Sequence, residues 1–277
     1  MTRPWARRDV GGVEVDFATA DHAVDALLQL AADLPDANNV HAPAVSAPGV
    51  AVHFANAYTI SLAAHDAVFS ELLNRPGSLV MADGRPVVWA AARIYGASDA
   101  SAGSWEQVCG PETMPAILQR SEHTSVSHYF LGGSEATLAA LVAEVRRRYP
   151  DTRIAGWASP PFRALTEAER EAQAARIEES GATIVWVGLG TPKQDWEVSD
   201  LAERLPVVAV AVGAAFDFIA GTKPEAPSWV RRNGLEWGFR WASEPRRLTK
   251  RYLVGNAQFL CAAGRTARRQ RVRRSAS

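Results

Sequence analysis

Two apolar runs in this chain end in residues able to do chemistry. The first, Ser78-Leu79-Val80-Met81-Ala82, leads into Asp83-Gly84. The second, Thr183-Ile184-Val185-Trp186-Val187, leads into Gly188-Leu189-Gly190-Thr191-Pro192-Lys193-Gln194-Asp195-Trp196. A carboxylate at a strand end can accept a proton from an attacking hydroxyl. A Gly-x-Gly turn opening onto a helix lets backbone approach a ligand, and the N–H groups at that helix start attract anions. Lys193 and Gln194 then lie where a ligand's phosphate or sugar would sit. The turn is not the dinucleotide fingerprint, because no third glycine follows Gly190 at the required offset. A third apolar run, Val50 to Ala55, ends in Asn56. Each of these residues also has a plain structural reading: Asp83-Gly84 as a tight turn, Asn56 as a helix cap, Gln194 as a first-turn surface residue, Lys193 as a solvated charge.

The elements that must position these residues alternate along the chain. Strands are expected at 13–16, 50–55, 78–82, 127–131, 153–156, 183–187 and 206–212. Helices are expected at 21–34, from Asn56 through Leu73, from 85 to about 95, and at 114–120, 135–148 and 166–180, with another opening at Gln194. Thr166 followed three residues later by Glu169 is a capping-box signature. Loops are expected at 35–48 and 96–104. Such alternation predicts an α/β fold, a Rossmann-like parallel sheet with helices on both faces, plus a basic helical C-terminal appendage. The expected division is an α/β catalytic domain over 1–222, a basic amphipathic appendage over 223–264 and an Arg-rich, fraying tail over 265–277. In a doubly wound sheet, strand ends far apart in sequence converge on one crevice.

Composition narrows the partners. The net charge of zero hides an asymmetry: from Lys223 onward fourteen Lys/Arg face three acids, a net of +11, which leaves −11 for the preceding residues. A basic segment on an acidic body suits an anionic partner such as a diphosphate, nucleic acid or an anionic membrane leaflet. No nucleic-acid module accompanies it, so nucleic acid is not expected. Cys109 and Cys261 are too few for a disulfide framework, the six histidines (22, 41, 53, 65, 123 and 128) lack metal-ligand spacing, and no Asp-x-Asp pair occurs. His53 is expected to be a satisfied core histidine. The start of the chain has no secretory pattern, and no run reaches the roughly 18 apolar residues needed to span a bilayer. A cytoplasmic location follows as the expectation. Trp229, Leu235, Trp237, Phe239, Trp241, Leu248, Tyr252, Leu253, Phe259 and Leu260 alternate with arginines, a mixture suited to helices lying in a membrane interface, or else to closing over the core or a homo-oligomer contact.

Taken in order, the motifs carry a resemblance. The chain reads Val10-Gly11-Gly12-Val13, Asn56, Ala82-Asp83-Gly84-Arg85-Pro86, Val108-Cys109-Gly110-Pro111 and Phe130-Leu131-Gly132-Gly133. It continues with Val187-Gly188-Leu189-Gly190-Thr191-Pro192-Lys193-Gln194, Val212-Gly213-Ala214-Ala215-Phe216-Asp217, Gly234-Leu235-Glu236-Trp237, Arg240, Arg246, Arg247 and Arg251. Over roughly 10–260 this resembles the WecG/TagA/CpsF glycosyltransferase family. The resemblance implies an inverting, metal-independent transfer from a UDP-sugar, by default N-acetylmannosamine, to a polyprenyl-diphosphate-linked glycan in cell-surface polymer synthesis. No cofactor is implied, and the enzyme would sit on the inner face of the cell membrane. It assigns the base role to Asp83. Asn56, Gly84, Gly188, Gly190, Thr191, Lys193 and Gln194 become substrate-binding candidates, with Arg240, Arg246, Arg247 and Arg251 facing a diphosphate, whose oxygens suit the arginine fork. The chain departs from the family pattern at Phe54, where a threonine is usual. Gln107 stands where an arginine is expected, and Pro224-Glu225 replaces a further basic residue. A catalytically weakened, scaffolding family member is therefore the alternative to a working transferase. A nucleotide-dependent oxidoreductase is a third reading, opposed by the missing fingerprint.

Overall fold

Along the inner strands, apolar residues of both parities cover both faces of a single sheet, so these strands are buried twice over, as central parallel strands require. The computed structural model describes residues 4–34, 49–96, 105–224, 239 and 245–276. Its eight strands are β1 (Ala6–Val10), β2 (Val13–Phe17), β3 (Val50–Ala55), β4 (Leu79–Ala82), β5 (Ser127–Leu131), β6 (Arg153–Ala158), β7 (Ile184–Val187) and β8 (Val208–Ala211). Their spatial order is β1-β2-β4-β3-β8-β7-β5-β6. Every neighbouring pair is parallel except the β1–β2 hairpin. The fold is thus the expected α/β sheet with helices around it.

The helices are α1 (Ala20–Ala32), α2 (Ala57–Ala63), α3 (Ala67–Leu73), α4 (Arg85–Tyr95), α5 (Gly110–Arg120), α6 (Glu135–Arg148), α7 (Glu167–Glu179), α8 (Lys193–Arg204), α9 (Ala215–Ile219) and α10 (Pro245–Ala276). On one face Val52, Phe54, Met81, Phe130, Trp186 and Val210 pack under α1, α5, α6 and α9. On the other, Val15, Phe17, Val80 and Ala82 meet α2, α3, α4 and α10, while Leu131, Val185, Val187 and Ala209 meet α7 and α8. Thr166 caps α7 in the expected box: its hydroxyl accepts the Glu169 N–H while the Glu169 carboxylate accepts the Thr166 N–H.

Several details differ from the sequence reading: α9 was not expected, α5 starts at Gly110 rather than Met114, and three further differences have a clear physical reason. Strand β1 was not expected, because Arg7, Arg8 and Asp9 are polar. It is an edge strand, where charged residues face solvent, and Gly11 and Gly12, both at positive φ, turn it into β2. The single helix expected from Asn56 to Leu73 is two. Asp66 ends the first and caps the second by accepting the N–H groups of Val68 and Phe69. The tail expected to fray from Arg265 is instead continuous helix to Ala276, so α10 also crosses the expected boundary at 264. Its course is held by burial of Phe259, Ala262 and Ala263 and by the Thr266 hydroxyl, which accepts the Gly11 N–H at 3.1 Å and donates to Asp9 at 3.3 Å. Further on, Arg274 donates to the Tyr95 carbonyl at 2.9 Å.

Candidate functional site

Because β2 to β8 run parallel, their C-terminal ends form one crest, and the crest is stitched together by close approaches of backbone. A side chain at Gly132, after β5, would come within 2.8 Å of the Gly188 carbonyl oxygen after β7. Gly188 leaves space for the Phe216 ring of α9, and Gly110, opening α5, lies against the Val212 backbone that ends β8. The Ser159 hydroxyl, after β6, donates to the Gly133 carbonyl at 2.7 Å. Between β5 and β7 the chain has gone out to the edge strand β6 and come back, so this is a topological switch point, where open α/β sheets leave a crevice. Helices α4, α5 and α8 begin at the crest without side-chain caps, so their positive dipole ends face it.

Asp83 stands at this crest at the end of β4, half-buried, its N–H donating to the Ala55 carbonyl of β3 at 3.0 Å. Asn56 ends β3 beside it. The Asn56 carbonyl oxygen caps α2 by accepting the N–H groups of Tyr58 and Thr59 at 3.0 and 3.2 Å, and its amide donates to Asp83 Oδ2 at 3.5 Å. The cap reading of Asn56 is therefore realised, and the cap aims the amide at the Asp83 carboxylate. Gly84 holds φ at +97°, which carries the chain directly from Asp83 into α4. Val108 donates its N–H to the Ala82 carbonyl at 2.8 Å, which places Gln107 beside the Asp83 strand end. Phe54 is buried in the core, paired in register with Met81.

The β7–α8 turn is also at the crest, but its glutamine does something other than face a ligand. Gln194 is buried; its Oε1 accepts the Gly190 N–H at 2.9 Å and its Nε2 donates to the Ala211 carbonyl at 3.3 Å. It clamps the Gly188–Thr191 turn to the end of β8. The Thr191–Pro192 peptide is cis. Lys193 is exposed at the first position of α8. Arg240 lies outside the described residues, and Arg246, Arg247 and Arg251 lie on the first turns of α10, of which only the backbone is described. Trp229, Leu235, Trp237 and Trp241 of the interfacial mixture also lie outside the described residues.

Sequence reasoning did not link His53 to Asp195. His53 Nδ1 and Asp195 Oδ1 meet at 3.0 Å, both residues fully buried, joining β3 to α8 directly beneath the crest. His53 Nε2 and Asp195 Oδ2 have no hydrogen-bond partner, so the expected satisfied histidine is satisfied on one side only. Asp195 was visible as the acid after Gln194, but its partner stands 142 residues away. Asp217 of α9 was likewise present in a motif without a role. It pairs with Lys223 at 3.1 Å and gathers Thr222 around its carbonyl and carboxylate. Among the described residues no cluster of three or more His, Cys, Asp or Glu is arranged to hold a metal ion, and no helix is long and apolar enough to cross a membrane.

The crest offers a half-buried carboxylate with an amide beside it, glycine turns packed at backbone distance, and the starts of three helices. The chain matches a family model described as the glycosyl transferase WecG/TagA/CpsF family over residues 8–274, and it belongs to that family of glycosyltransferases.

Proposed function

We propose that the protein is an inverting transferase that moves a sugar, by default N-acetylmannosamine, from a UDP-sugar to a hydroxyl of a polyprenyl-diphosphate-linked glycan in cell-surface polymer synthesis. In this reading the acceptor hydroxyl attacks the anomeric carbon, Asp83 takes its proton, and UDP departs from the opposite face, so the anomeric configuration inverts. The observation that carries it is the position of Asp83: a half-buried carboxylate on the crest, next to the Asn56 amide. Such a base contributes about 10²–10⁴-fold to rate. The uncapped starts of α4, α5 and α8 supply fixed positive ends for the leaving diphosphate without reorganisation at the moment of reaction. No metal ion or organic cofactor enters this reading. The segment after Lys223, with Arg240, Arg246, Arg247 and Arg251, is the proposed partner of the diphosphate and of the membrane surface, on the cytoplasmic face where such an acceptor is anchored; a homo-oligomer contact is the competing use of its apolar residues.

Gln107 beside the Asp83 strand end favours a second reading, a weakened family member that binds rather than turns over. Purified protein given a panel of UDP-sugars and a short-chain polyprenyl-diphosphate-N-acetylglucosamine acceptor separates the two. Acceptor-dependent UDP release from one donor, reduced about 10²–10⁴-fold in Asp83→Asn, is the expected result. UDP binding without release from any donor would favour the scaffold, and an Asp83→Asn protein with wild-type turnover would remove Asp83 from the mechanism.

A further inference from the structure

A cleft of about 250 Å³ opens at the other edge of the sheet, where α10 crosses the β1–β2 turn and the α2–α3 junction. Strand β2 begins at Val13 and runs parallel to β4, so the Gly11–Gly12 turn lies at the N-terminal edge, opposite the crest that carries Asp83. The cleft walls include Arg265 and Arg269, one helical turn apart on the same side of α10, facing Ser70 of α3 and Gly12 of the turn. Elsewhere on the surface, Arg147, Arg163 and Arg204 sit on carboxylates. Arg265 and Arg269 have no ion-pair or hydrogen-bond partner among the described residues.

No carboxylate among the described residues is paired with either guanidinium group. Asp9, the acid closest to this turn, accepts the Gly12 N–H at 2.7 Å and the Thr266 hydroxyl at 3.3 Å, both neutral donors. The Ser70 hydroxyl accepts from Asn74 Nδ2 at 3.4 Å, which leaves its own hydrogen to donate. Gly12, at φ +94°, has open space where a side chain would stand, and Ala63, Ala64 and Ala262 keep the floor low. The volume is several times the roughly 30 Å³ share of one water molecule. Two arginines and a hydroxyl lining one such space match the chemistry of a phosphate, whose oxygens accept charge-assisted hydrogen bonds.

We propose that this cleft is a phosphate-binding site, distinct from the crest, in which Arg265 and Arg269 hold the anion and Ser70 donates to it. The full-length protein is titrated with inorganic phosphate by calorimetry and sedimented with vesicles of phosphatidylglycerol or phosphatidylcholine. Two variants accompany it, Arg265→Gln/Arg269→Gln and, as a control of equal charge outside the cleft, Arg268→Gln/Arg271→Gln. Loss of two charge-assisted contacts is expected to weaken binding at least about tenfold in the first variant, with the control within about twofold of wild type. A cleft-dependent phosphate isotherm without vesicle binding assigns the site to a soluble phosphate. Phosphatidylglycerol binding that falls only in the first variant, with phosphatidylcholine inert, assigns it to a lipid headgroup. Equal losses in both variants would show diffuse charge attraction and overturn the proposal. So would binding of phosphate and of vesicles that is undetectable or unchanged by Arg265→Gln/Arg269→Gln. These arginines are exposed, so thermal unfolding at the wild-type temperature serves as the check that the variant is folded.

Discussion

At the scale of single residues, Asn56 separates two effects that usually travel together. Its oxygen stabilises the start of α2 while its amide faces Asp83. Aspartate caps as well as asparagine, so Asn56→Asp should unfold at nearly the wild-type temperature. It would also place a second carboxylate beside Asp83, and a like charge raises the pKa of its neighbour. Turnover is therefore expected to fall, with the acidic limb of the pH–rate profile moved to higher pH. Asn56→Ala should instead lose about 1 kcal/mol of stability together with activity. A variant with an unmoved pH profile would detach the amide from Asp83. The His53–Asp195 contact is a residue-scale matter too. Both groups are fully buried, so Asp195→Asn is expected to lower unfolding free energy by about 1–3 kcal/mol. Denaturant unfolding of Asp195→Asn, His53→Gln and the double variant would measure the coupling; additive losses would mean the 3.0 Å contact adds nothing.

At the scale of elements, the crest depends on turns meeting at backbone distance. Gly132 holds φ at +118° with Gly188 backbone atoms 2.8–3.1 Å from where a Cβ would be, and neither strain nor clash can be relieved by a flexible side chain. Gly132→Ala should lower stability by about 1–3 kcal/mol and push the β7–α8 turn away from α9, reducing turnover as well. Thermal unfolding together with UDP release tests this; wild-type values in both would mean the two turns have slack. Thr166→Ala, whose hydroxyl bonds only to Glu169 of its own helix, should lose about 1 kcal/mol through its cap and leave turnover alone. These turns were legible in the sequence because glycines ended apolar runs. So was Asp83, since a carboxylate between a buried strand and a glycine has to surface at the strand's end. Strand order was not legible: β3 lies between β4 and β8, and the pairing of Val50 with Val208 leaves no mark on nearby residues. The same distance hid the His53–Asp195 contact and the turn-clamping use of Gln194, whose second partner, Ala211, follows 17 residues later. The helical course of 265–276 was hidden for another reason. Its arginines read as solvated, while the residues that dock it, Ala262, Ala263 and Thr266, are small.

At the scale of the whole molecule, a buried chain of hydrogen bonds makes one histidine a contributor to the acid sensitivity of the fold. Trp186 on β7 donates its indole N–H to His128 Nδ1 at 3.1 Å. His128 on β5 must then carry its proton on Nε2, which donates to the Ser121 hydroxyl at 2.8 Å, and that hydroxyl donates to the Leu118 carbonyl of α5 at 3.0 Å. The imidazole is held neutral twice over: a proton on Nδ1 would face the indole donor, and burial pushes its pKa down from 6.5 to about 3. In the unfolded chain the same histidine is free to protonate near 6.5. The folded pKa is the lower one, so the stability involved is complete above pH 6.5 and is lost as the pH falls toward 3. The loss is about 1.4 kcal/mol per pH unit within that window. Replacing His128 with Gln should lower stability at pH 7.5 through packing, yet flatten the decline below pH 6.5. Urea unfolding at pH 7.5, 6.0 and 5.0 isolates the effect, because all other titrating groups are common to both proteins. Between pH 6.0 and 5.0 the wild type should lose roughly 1 kcal/mol more than the variant. Parallel declines would mean that His128 takes up its proton in the folded protein, and with it that the β5–β7–α5 contact opens before the rest of the sheet does.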